Sequence, residues 1–469
     1  MFSHSTINSK QLSTAQLLKQ KLEETIQSIA QQPHLFASQA TDFSRHRKLD
    51  FQTTLKLLLE MEGKSLSSEL LNFFGFTSET PTVSAFVQAR KKIKCAAFKT
   101  LFKASKASTQ PLKTYKGYRL LAHDGSDIHI PYDPQDTDSI NRGGKNKIPL
   151  SLLHLNALYD PLNKNYIEVD FQKKRKSDER LSLCHMIDEL EFKEETIILA
   201  DRGYESFNVY EHIKQAGQKF VIRAKDLTSN GFLSRKNLPK TETFDMPLHL
   251  QLTRRQTKEA KNDPNIHFLS TTSKFDFLPL DSKEDYPMTL RVVRIKLDDN
   301  SYESLITNLD AFQFNTEAIK SLYHLRWGIE NSFRELKYAL GLAQLHSKKR
   351  EFIIQEIYAR LIMYNFSMTI ASSVQLDEKD REHRYQVNFT QAIGLCRKYF
   401  SADIDVETLI RRYVLPVREN RSDPRKLKSK GFSGYLYRIG FCCKVQFPDC
   451  FIVKWIQKER GIPNESFQG

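Results

Sequence analysis

The sequence predicts an α/β protein whose mixed sheet is interrupted by a β-rich insertion and flanked by a helical N-terminal region and a basic C-terminal region. Two observations support this fold class. Between residues 116 and 225, apolar strand-like runs and helical periodicity follow one another as three strands, helix, strand, helix, strand, which is typical of a mixed α/β sheet. Residues 226–311 are instead polar and poor in helical periodicity.

Length, composition and charge bound the class of protein. A chain of 469 residues is too long for one ordinary core, so about two to four domains are expected. Hydrophobic residues make up 40% of the chain and include 31 phenylalanines, which excludes a disordered protein. The formal net charge of +15 favours a polyanionic partner, with nucleic acid as the first candidate and a merely basic surface as the alternative.

The six cysteines and the hydropathy pattern indicate a cytoplasmic protein. No cluster of cysteine and histidine has the spacing of a zinc site, and scattered cysteines fit a reducing compartment. The N-terminus lacks the apolar core of a signal peptide, and no window approaches about 18 consecutive apolar residues. We therefore expect no membrane association.

Residues 1–115 predict a helical N-terminal domain. Helical patterns fall at residues 13–29, 51–61, 67–74 and 82–94. The last of these helices carries a basic cluster, which consists of Arg90, Lys91, Lys92 and Lys94. Short helices that end in a basic helix resemble a small DNA-binding module, whereas a solvated basic face is the alternative.

Residues 116–225 predict the first part of the α/β core. The strand-like segments are residues 118–123, 152–158, 166–171, 195–200 and 219–223, and the helical segments are residues 177–192 and 206–216. The first strand is expected to end at Asp124-Gly-Ser, and the fourth is expected to end at Asp201-Arg-Gly-Tyr.

Three further regions complete the predicted organisation. Residues 226–311 form the β-rich insertion, with strand-like pieces at 241–252, 288–297 and 302–307. Residues 312–375 are the second part of the core: one long helix capped by Asn315 or Thr316, then a helix at 351–374. Residues 376–469 are a basic C-terminal region, with a helix near 389–400 and then an arginine- and lysine-rich segment. That segment is either an arm along a phosphate backbone or a disordered tail.

The long helix of the second core part carries a polar stripe. At about 100° per residue, Arg326, Glu330 and Lys337 fall at about 300°, 340° and 320° from Tyr323, within about 60° of one another. A carboxylate in such a row can hold a divalent ion, and the cations beside it can hold phosphate. The alternative is an ordinary amphipathic helix in which Glu330 pairs with Arg326 and Arg334.

Two more carboxylates, Asp124 and Asp201, directly follow apolar strands. Sites in open α/β sheets form at strand ends, and three carboxylates from separate elements can hold two divalent ions for phosphodiester chemistry. An aspartate at a strand end is also common turn chemistry. Other carboxylates compete for the same role on sequence alone, namely Asp127, Asp133 and Glu205.

These motifs resemble the three signature regions of DDE-type bacterial insertion-sequence transposases. The resemblance rests on Asp124-Gly-Ser, on Asp201-Arg-Gly-Tyr, and on Tyr323-x2-Arg-x3-Glu-x6-Lys337, which fits the Tyr-Arg-Glu-Lys signature group at every spacing. The order of helical region, two aspartates, β-rich insertion and glutamate on a helix also matches. The resemblance covers most of residues 50–430.

The resemblance implies a fold and a site. The fold is an RNase H-like core with an α-helical DNA-binding N-terminal domain. Asp124, Asp201 and Glu330 would be the catalytic residues and would ligate two Mg²⁺ ions, for which Mn²⁺ can substitute. Residues expected to contact DNA are Tyr323, Arg326, Lys337, Trp327, Arg202, Arg90 and Lys91.

Two of these DNA contacts have alternatives. Trp327 lies near the polar stripe, and in some relatives an aromatic residue holds a flipped base; packing against the insertion is the other interpretation. Arg202 is expected, together with Tyr204, to orient the segment that carries the second aspartate, with a phosphate contact as its alternative role.

The reaction implied is cut-and-paste transposition. Strand cleavage at the element end frees a 3′-hydroxyl, which forms a hairpin on the opposite strand and later attacks target DNA. The partners implied are the inverted-repeat element ends, target DNA and a second copy of the chain in a synaptic dimer, in a bacterial cytoplasm close to the nucleoid. Two other functions fit the residues: a DNA-binding protein that has lost transposition, and a metal nuclease of similar fold that does not transpose.

Overall fold

The computed structural model describes residues 12–106, 111–141, 149–258, 262–298, 301–376 and 384–417. The part of the predicted basic arm that follows residue 417 lies outside these ranges. Within them the protein is a mixed α/β structure built on one large sheet, which confirms the predicted fold class at this level. No helix in the described ranges has the length and apolarity needed to cross a membrane.

Helices occupy most of the described N-terminal region: α1 (Thr14–Ala30), α2 (Pro33–Phe36), α3 (Phe51–Glu60), α4 (Leu66–Phe73), α5 (Val83–Lys91) and α6 (Cys95–Ser105). Four of them begin at a side-chain cap, because Ser13, Asp50, Ser65 and Thr82 each accept a hydrogen bond from the backbone N–H three residues later. The four predicted helices are confirmed, and α2 and α6 are additional.

The described part of the central sheet has ten strands: β1 (Arg119–Ile130), β2 (Ile140–Asn141), β3 (Leu150–Asp160), β4 (Asn165–Lys173), β5 (Thr196–Ala200), β6 (Lys219–Ala224), β7 (Phe244–Thr253), β8 (Ile266–Phe268), β9 (Asp285–Asp298) and β10 (Ser301–Thr307). The strand order is β3-β1-β5-β6-β10-β9-β7-β8, and β2 and β4 both pair with β3. β1, β5 and β6 run parallel, whereas β3 is antiparallel to β1.

Helices cover both faces of this sheet. Alternate strand residues belong to two separate hydrophobic cores; Leu120 and Ala122 of β1 lie in one and Leu121 lies in the other. The second core is closed by α7 (Glu179–Glu189) and α8 (Phe207–Gln215). The first core is closed by the N-terminal helices and by α9 (Thr316–His324), α10 (Trp327–Tyr338), α11 (Arg350–Ser373), α12 (Phe389–Ser401) and α13 (Val406–Arg412).

Helix α11 is the centre of the first core. It is buried along nearly its whole length and packs against α3, α6, α12 and strand β4. The helices of the N-terminal region therefore share one core with the second half of the chain rather than enclosing a core of their own. A short antiparallel ribbon, β11 (Tyr385–Val387) with β12 (Val414–Pro416), lies beside α12 and α13 in the chain.

The sequence predicts an inserted β-rich subdomain at residues 226–311. Strands β7, β8, β9 and β10 fall in this range, and they extend the central sheet instead of forming a sheet of their own. The junction is the antiparallel pairing of β10 with β6, in which Thr307 lies opposite Val221. Strand β6 would otherwise expose an unpaired edge, which the insertion covers.

Candidate active site

The register of two neighbouring strands places Asp124 and Asp201 at the same level of the sheet. β1 and β5 are parallel, and Ala122 pairs with Leu199. Each aspartate follows its member of that pair by two residues. Because side chains alternate along a strand, both carboxylates point to the face that holds Ala122 and Leu199, which is the face covered by α10.

Each aspartate is oriented by its own backbone. Asp124 Oδ1 accepts a hydrogen bond of 2.8 Å from the N–H of Gly125, and Asp201 Oδ1 accepts one of 2.7 Å from the N–H of Gly203. Asp201 thereby caps the short 3₁₀ turn Arg202–Tyr204. The other oxygen of each carboxylate has no hydrogen-bond partner among the described residues, so both aspartates retain an acceptor for a ligand.

Asp124 and Asp201 interact electrostatically. Burial is the main cause that raises the pKa of Asp124 to about 6, and the negative charge of Asp201 acts in the same direction, while the Gly125 N–H and the charge of Arg326 oppose both. The charge of Asp201 repels the ionised form of Asp124. A cation placed between them would relieve that repulsion.

The predicted strand end at Asp124 is wrong. β1 continues through Asp124 to Ile130, because β3 stays paired with it from Ala122–Tyr159 to Ile130–Ser151. Only the pairing with β5 stops, at Ala122. Asp124 therefore lies where β1 loses one neighbour and keeps the other, which leaves one side of the strand open in front of the carboxylate.

The prediction of one long helix carrying the polar stripe is also wrong. The helix is divided into α9 and α10, with Leu325 and Arg326 between them. At this break the N–H groups of Leu325, Arg326 and Gly328 donate to carbonyls three residues earlier, at 3.0–3.1 Å. The stripe angles calculated for a single helix therefore do not hold across the break, although Arg326 and Glu330 still pair at 2.9 Å.

Tyr323 and Arg326 are buried, and each has a polar atom without a partner. Their side chains are 4% and 6% exposed, and the Tyr323 hydroxyl and Arg326 Nε form no hydrogen bond among the described residues. Burial raises the pKa of the Tyr323 hydroxyl to about 12. Since buried polar groups are normally hydrogen-bonded, these two orphan atoms beside the aspartates indicate a place that a ligand completes.

Lys337 joins the helix to the strand that carries Asp124. Its Nζ donates a hydrogen bond of 2.7 Å to Ser126 Oγ. Burial lowers the pKa of Lys337, and the negative charges of Asp127 and Asp124 oppose this effect. Arg326 and Lys337 thus both lie close enough to Asp124 for their charges to interact with it, so these cations of the signature face the segment that carries Asp124.

Glu179, which sequence reasoning missed, connects the two aspartate segments. Its Oε2 accepts a hydrogen bond of 3.0 Å from the Tyr204 hydroxyl, which belongs to the turn after Asp201. Its Oε1 lies 2.9 Å from His154 Nε2, and a Cβ at Gly125 would lie 2.7 Å from the same oxygen. A glycine is therefore required after Asp124. No local sequence signal marks Glu179, which is the first residue of α7.

His154 completes this connection and also binds Asp127, one of the competing carboxylates. Its Nδ1 lies 2.7 Å from Asp127 Oδ1, and Lys174 Nζ lies 2.8 Å from Asp127 Oδ2. Burial alone would lower the pKa of His154, but the bonds to Asp127 and Glu179 outweigh burial and raise it to about 9. Burial raises the pKa of Asp127, yet His154 and Lys174 together lower it to about 2. Asp127 is thus fully engaged.

The other two competing carboxylates are also engaged elsewhere. Glu205 Oε2 accepts a hydrogen bond of 2.6 Å from the N–H of Lys225, and Asp133 Oδ1 accepts one of 2.9 Å from the N–H of Gln135. The first bond joins Glu205 to the residue that directly follows β6, twenty positions later, and the second lies within a local turn. Neither residue appears among the groups that shift the pKa of Asp124.

The remaining predicted DNA contacts differ in exposure. Trp327 is 51% exposed, and the Arg326 guanidinium lies 5.0 Å from its ring centre. Arg202 and Lys91 are exposed. In the turn after Asp201, the buried Tyr204 makes the contact that orients the segment. The side chain of Arg202 has no hydrogen-bond or ion-pair partner among the described residues.

Arg90 is not retained as a DNA contact. Its side chain is 1% exposed and donates to Glu356 Oε1 at 2.9 Å, to Ser347 Oγ at 2.6 Å and to the Phe352 carbonyl at 2.9 Å. These partners belong to α11 and the segment before it. A guanidinium held in the interior by a buried carboxylate does not reach a phosphate at the surface.

The carboxylates of the site do not form a preassembled metal centre. Within the described ranges no group of three or more His, Cys, Asp or Glu side chains lies close enough to hold a metal ion. Glu330 is bonded to Arg326. The donors nevertheless fit a hard divalent ion: Asp124 and Asp201 are oxygen ligands at one level, each with a free oxygen. The raised pKa of Asp124 and the orphan atoms of Tyr323 and Arg326 support the same fit.

Comparisons with known proteins place this site in a family. Residues 115–366 match the family described as the transposase DDE domain, and this segment contains Asp124, Asp201 and Glu330. The chain is 27% identical over 233 residues to the transposase for insertion sequence element IS1151 of Clostridium perfringens, a match that covers 43% of this chain and 47% of that protein. The chain thus aligns with about half the length of that relative.

Among solved structures, the chain is similar to the cryo-electron microscopy structure of the piggyBac transposase synaptic complex with hairpin DNA. That likeness has a TM-score of 0.44 at 9% identity, and covers 86% of this chain and 83% of the other. The family match spans more than half of the 469 residues of the chain. The chain belongs to the DDE transposase family.

Proposed function

We propose that this protein is an insertion-sequence transposase that cuts DNA at the element ends and joins them to target DNA. The observation that carries the proposal is the pair of carboxylates Asp124 and Asp201 at one level of the adjacent parallel strands β1 and β5, where burial, reinforced by the charge of Asp201, raises the pKa of Asp124 to about 6. Around this pair lie two signature cations, Arg326 and Lys337. Membership of the family supports the same reaction.

Asp124, Asp201 and Glu330 would hold two Mg²⁺ ions, or Mn²⁺ in their place. Bound divalent ions supply Lewis-acid activation of a water or 3′-hydroxyl and stabilise the leaving oxygen. The chain contributes the positions of the ligands: the aspartates are fixed by their backbone N–H bonds, whereas Glu330 must give up or share its bond to Arg326. Glu330 therefore joins the site by a side-chain movement on α10.

Arg326 and Lys337 would bind phosphates next to the cleaved bond. Arg326 has an unpaired Nε, and a guanidinium released from Glu330 could bind phosphate with two parallel hydrogen bonds. The unpaired hydroxyl of Tyr323 is a further donor at the same place. Exposed Trp327, Arg202 and Lys91 would contact DNA further from the reacting atoms, and Trp327 is the residue suited to stack on a base.

An RNase H-like core would underlie this site. The five strands around the aspartates are ordered β4-β3-β1-β5-β6. β3 is antiparallel to both β4 and β1, whereas β5 and β6 are parallel to β1. This order supports an RNase H-like core. β7 to β10 are then the insertion, placed between the second aspartate and the glutamate.

The complete reaction would follow the cut-and-paste scheme, with a hairpin intermediate and strand transfer. Its partners would be the inverted-repeat ends, target DNA and a second copy of this chain, which together hold two ends in one complex. A basic protein of net charge +15 suits such a complex near the bacterial nucleoid.

The test is Mg²⁺-dependent cleavage of labelled DNA that carries the sequences flanking the gene, with Asp201→Asn compared with wild type. We expect cleavage to fall by about a thousandfold or more, the equivalent of several kcal/mol of lost metal stabilisation, while DNA binding stays nearly unchanged. Asp133→Asn is the matched control, because it removes an exposed carboxylate outside the site. We expect this control to cleave like wild type.

The outcomes separate the candidate functions. Cleavage with strand transfer, both lost in Asp201→Asn, supports the transposase. Cleavage without strand transfer would favour a metal nuclease, and specific binding without cleavage in the wild type would favour a DNA-binding protein that has lost transposition. Cleavage that survives in Asp201→Asn would overturn the assignment of the aspartates.

A further inference from the structure

We propose that a cleft between residues 41–49 and helix α5 binds the sugar-phosphate backbone of one DNA strand, with Arg45 and Arg47 as its principal contacts. The cleft lies in the N-terminal helical region, apart from Asp124 and Asp201. The inference rests on the proposed function only in that the polyanion is DNA. It adds a contact in a loop to the exposed Lys91 at the end of α5, whereas Arg90, which the sequence also predicts, is buried.

The cleft is a defined depression of about 530 Å³. One wall is the segment from Thr41 to Leu49. The other wall is the outward face of α5, which contributes Ala85, Gln88 and Ala89. Lys92, which directly follows α5, also lines the cleft. A depression of this size suits a short stretch of one strand's backbone, while the rest of a duplex stays outside it.

Backbone contacts at both ends hold the loop wall in place. Before the loop, the N–H of Ser38 donates to the Lys92 carbonyl at 2.7 Å, and Ala37 forms a β-bridge with Ile93. After the loop, Leu49 is buried in the core. Between these anchors Phe43 has a φ of 61°, an uncommon conformation for a bulky residue, and its ring packs on Phe51 at 5.1 Å. This turn directs the following residues along the cleft.

Four cations line the cleft, and two of them have no partner. Lys92 lies 3.3 Å from Asp42, and Lys48 lies 2.6 Å from Glu79. Arg45 and Arg47 are exposed and form no hydrogen bond or ion pair with any residue that the structure describes. Two unpaired guanidiniums, separated by one residue on a held loop, can bind successive phosphates.

The opposite wall favours an anion as well. Helix α5 has no acidic residue, and its small side chains at Ala85 and Ala89 allow a close approach of a bulky backbone. Gln88 adds an uncharged amide donor and acceptor. The single carboxylate of the lining, Asp42, is already occupied by Lys92 and by the N–H of Gln39 at 3.0 Å. The cleft therefore repels no phosphate.

The test is the salt dependence of DNA binding by the full-length protein. Arg45→Ala/Arg47→Ala is compared with wild type on a duplex carrying the gene's flanking sequence and on an unrelated duplex of equal length. Each lost phosphate contact reduces the slope of log Kobs against log salt by about 0.9, so we expect a reduction of about two on both duplexes. Both side chains are exposed, so folding should be unaffected, and thermal unfolding checks this.

Two further variants control the result. Lys99→Ala/Lys103→Ala removes two exposed cations from α6 in the same region, and we expect little change in its slope. Arg45→Lys/Arg47→Lys keeps the charge and should restore most of the slope. An unchanged slope in Arg45→Ala/Arg47→Ala, or an equal loss in the α6 control, would overturn the proposal.

Failure of this inference is distinguishable from failure of the proposed function. If the slope falls in Arg45→Ala/Arg47→Ala but neither wild type nor any variant cleaves DNA, the DNA-binding role of the cleft is supported and the transposase assignment is rejected. If wild type cleaves in an Asp201-dependent manner and the slope does not fall, the transposase assignment stands and the cleft does not. Vesicles of phosphatidylglycerol serve as a second polyanion; loss of binding to vesicles alone would assign the cleft to membrane phosphate and reject DNA.

Discussion

The two halves of the candidate active site are held in different ways. In the aspartate half, Asp124 and Asp201 are placed by strand register and by hydrogen bonds of 2.7–2.8 Å from backbone N–H groups one and two residues later. In the helix half, Arg326 and Glu330 hold each other through side chains at 2.9 Å, just after a break between two helices. The positions of the aspartate carboxylates depend on the backbone, whereas the positions of the Arg326 and Glu330 side chains depend on their rotamers.

This difference separates a preorganised half from an adjustable one. Backbone bonds within the sheet persist whether or not a ligand is bound, so the aspartates need no rearrangement. A side-chain ion pair can exchange one partner for another, and the orphan atoms of Tyr323 and Arg326 show that the helix half is not yet fully bonded. A metal ion would bind aspartates that already hold their positions. A phosphate of bound DNA would replace Glu330 as the partner of Arg326, and Glu330 would then be free to move toward the aspartates.

After Asp201→Asn, the largest expected effect comes from Arg326→Ala, which breaks the helix half. Removing the guanidinium takes away the partner of Glu330 and a positive charge that acts on Asp124. We expect single-turnover cleavage to fall by about 100- to 1000-fold, the range found when one preorganised donor is lost from an active site. Arg334→Ala on the same helix is the matched control, because Arg334 is exposed and its side chain bonds Asn331 and no other residue that the structure describes. Equal rates in the two variants would contradict an adjustable half built on Arg326.

A smaller effect is expected from Glu179→Gln, which weakens the connection between the two aspartate segments. The variant loses the charge that bonds His154, so we expect cleavage to fall by about 10- to 100-fold and the Mg²⁺ concentration for half-maximal rate to rise. Asp188→Asn is the matched control: Asp188 also lies on α7 and pairs with a histidine, His212, at 2.8 Å, but away from the aspartates. An unchanged Mg²⁺ requirement in Glu179→Gln would show that Glu179 does not support the positions of the two aspartates.

The smallest effect concerns stability. The pKa of Asp124 is raised from 3.8 to about 6 in the folded protein, so ionised Asp124 destabilises the fold. We expect Asp124→Asn to increase the free energy of unfolding by roughly 2 kcal/mol above pH 6, and the gain to shrink as the pH falls from 6 toward 4. Urea denaturation in EDTA measures it. A gain that is constant with pH would show that charge on Asp124 is not its cause.

The sequence was sufficient for features that depend on local pattern. The continuous apolar runs of β1 and β5 are visible in residues 120–122 and 197–200, and the caps at Ser13, Asp50 and Thr82 are visible as side-chain types before helical runs. The spacing from Arg326 to Glu330 also predicts their ion pair, because residues four apart meet on a helix.

Features that depend on distant partners could not be predicted. Asp-Gly-Ser has the composition of a turn, but β1 continues through it because β3, more than twenty residues later, stays paired. The basic end of α5 has the composition of a solvated face, but Arg90 is buried by Glu356 on α11, 266 residues away. Glu179 joins its partners only through the tertiary fold.

The way the insertion joins the sheet has a consequence for engineering a smaller enzyme. Strands β7 to β10 continue the hydrogen-bond ladder beyond β6 and carry part of the second hydrophobic core, including Leu250, Leu290 and Ile306. Excising residues 226–311 as a block would leave the edge of β6 bare next to an apolar surface, a template for aggregation. A truncated catalytic core should therefore keep the β9–β10 hairpin as a lid on that edge and shorten only the loops beyond it.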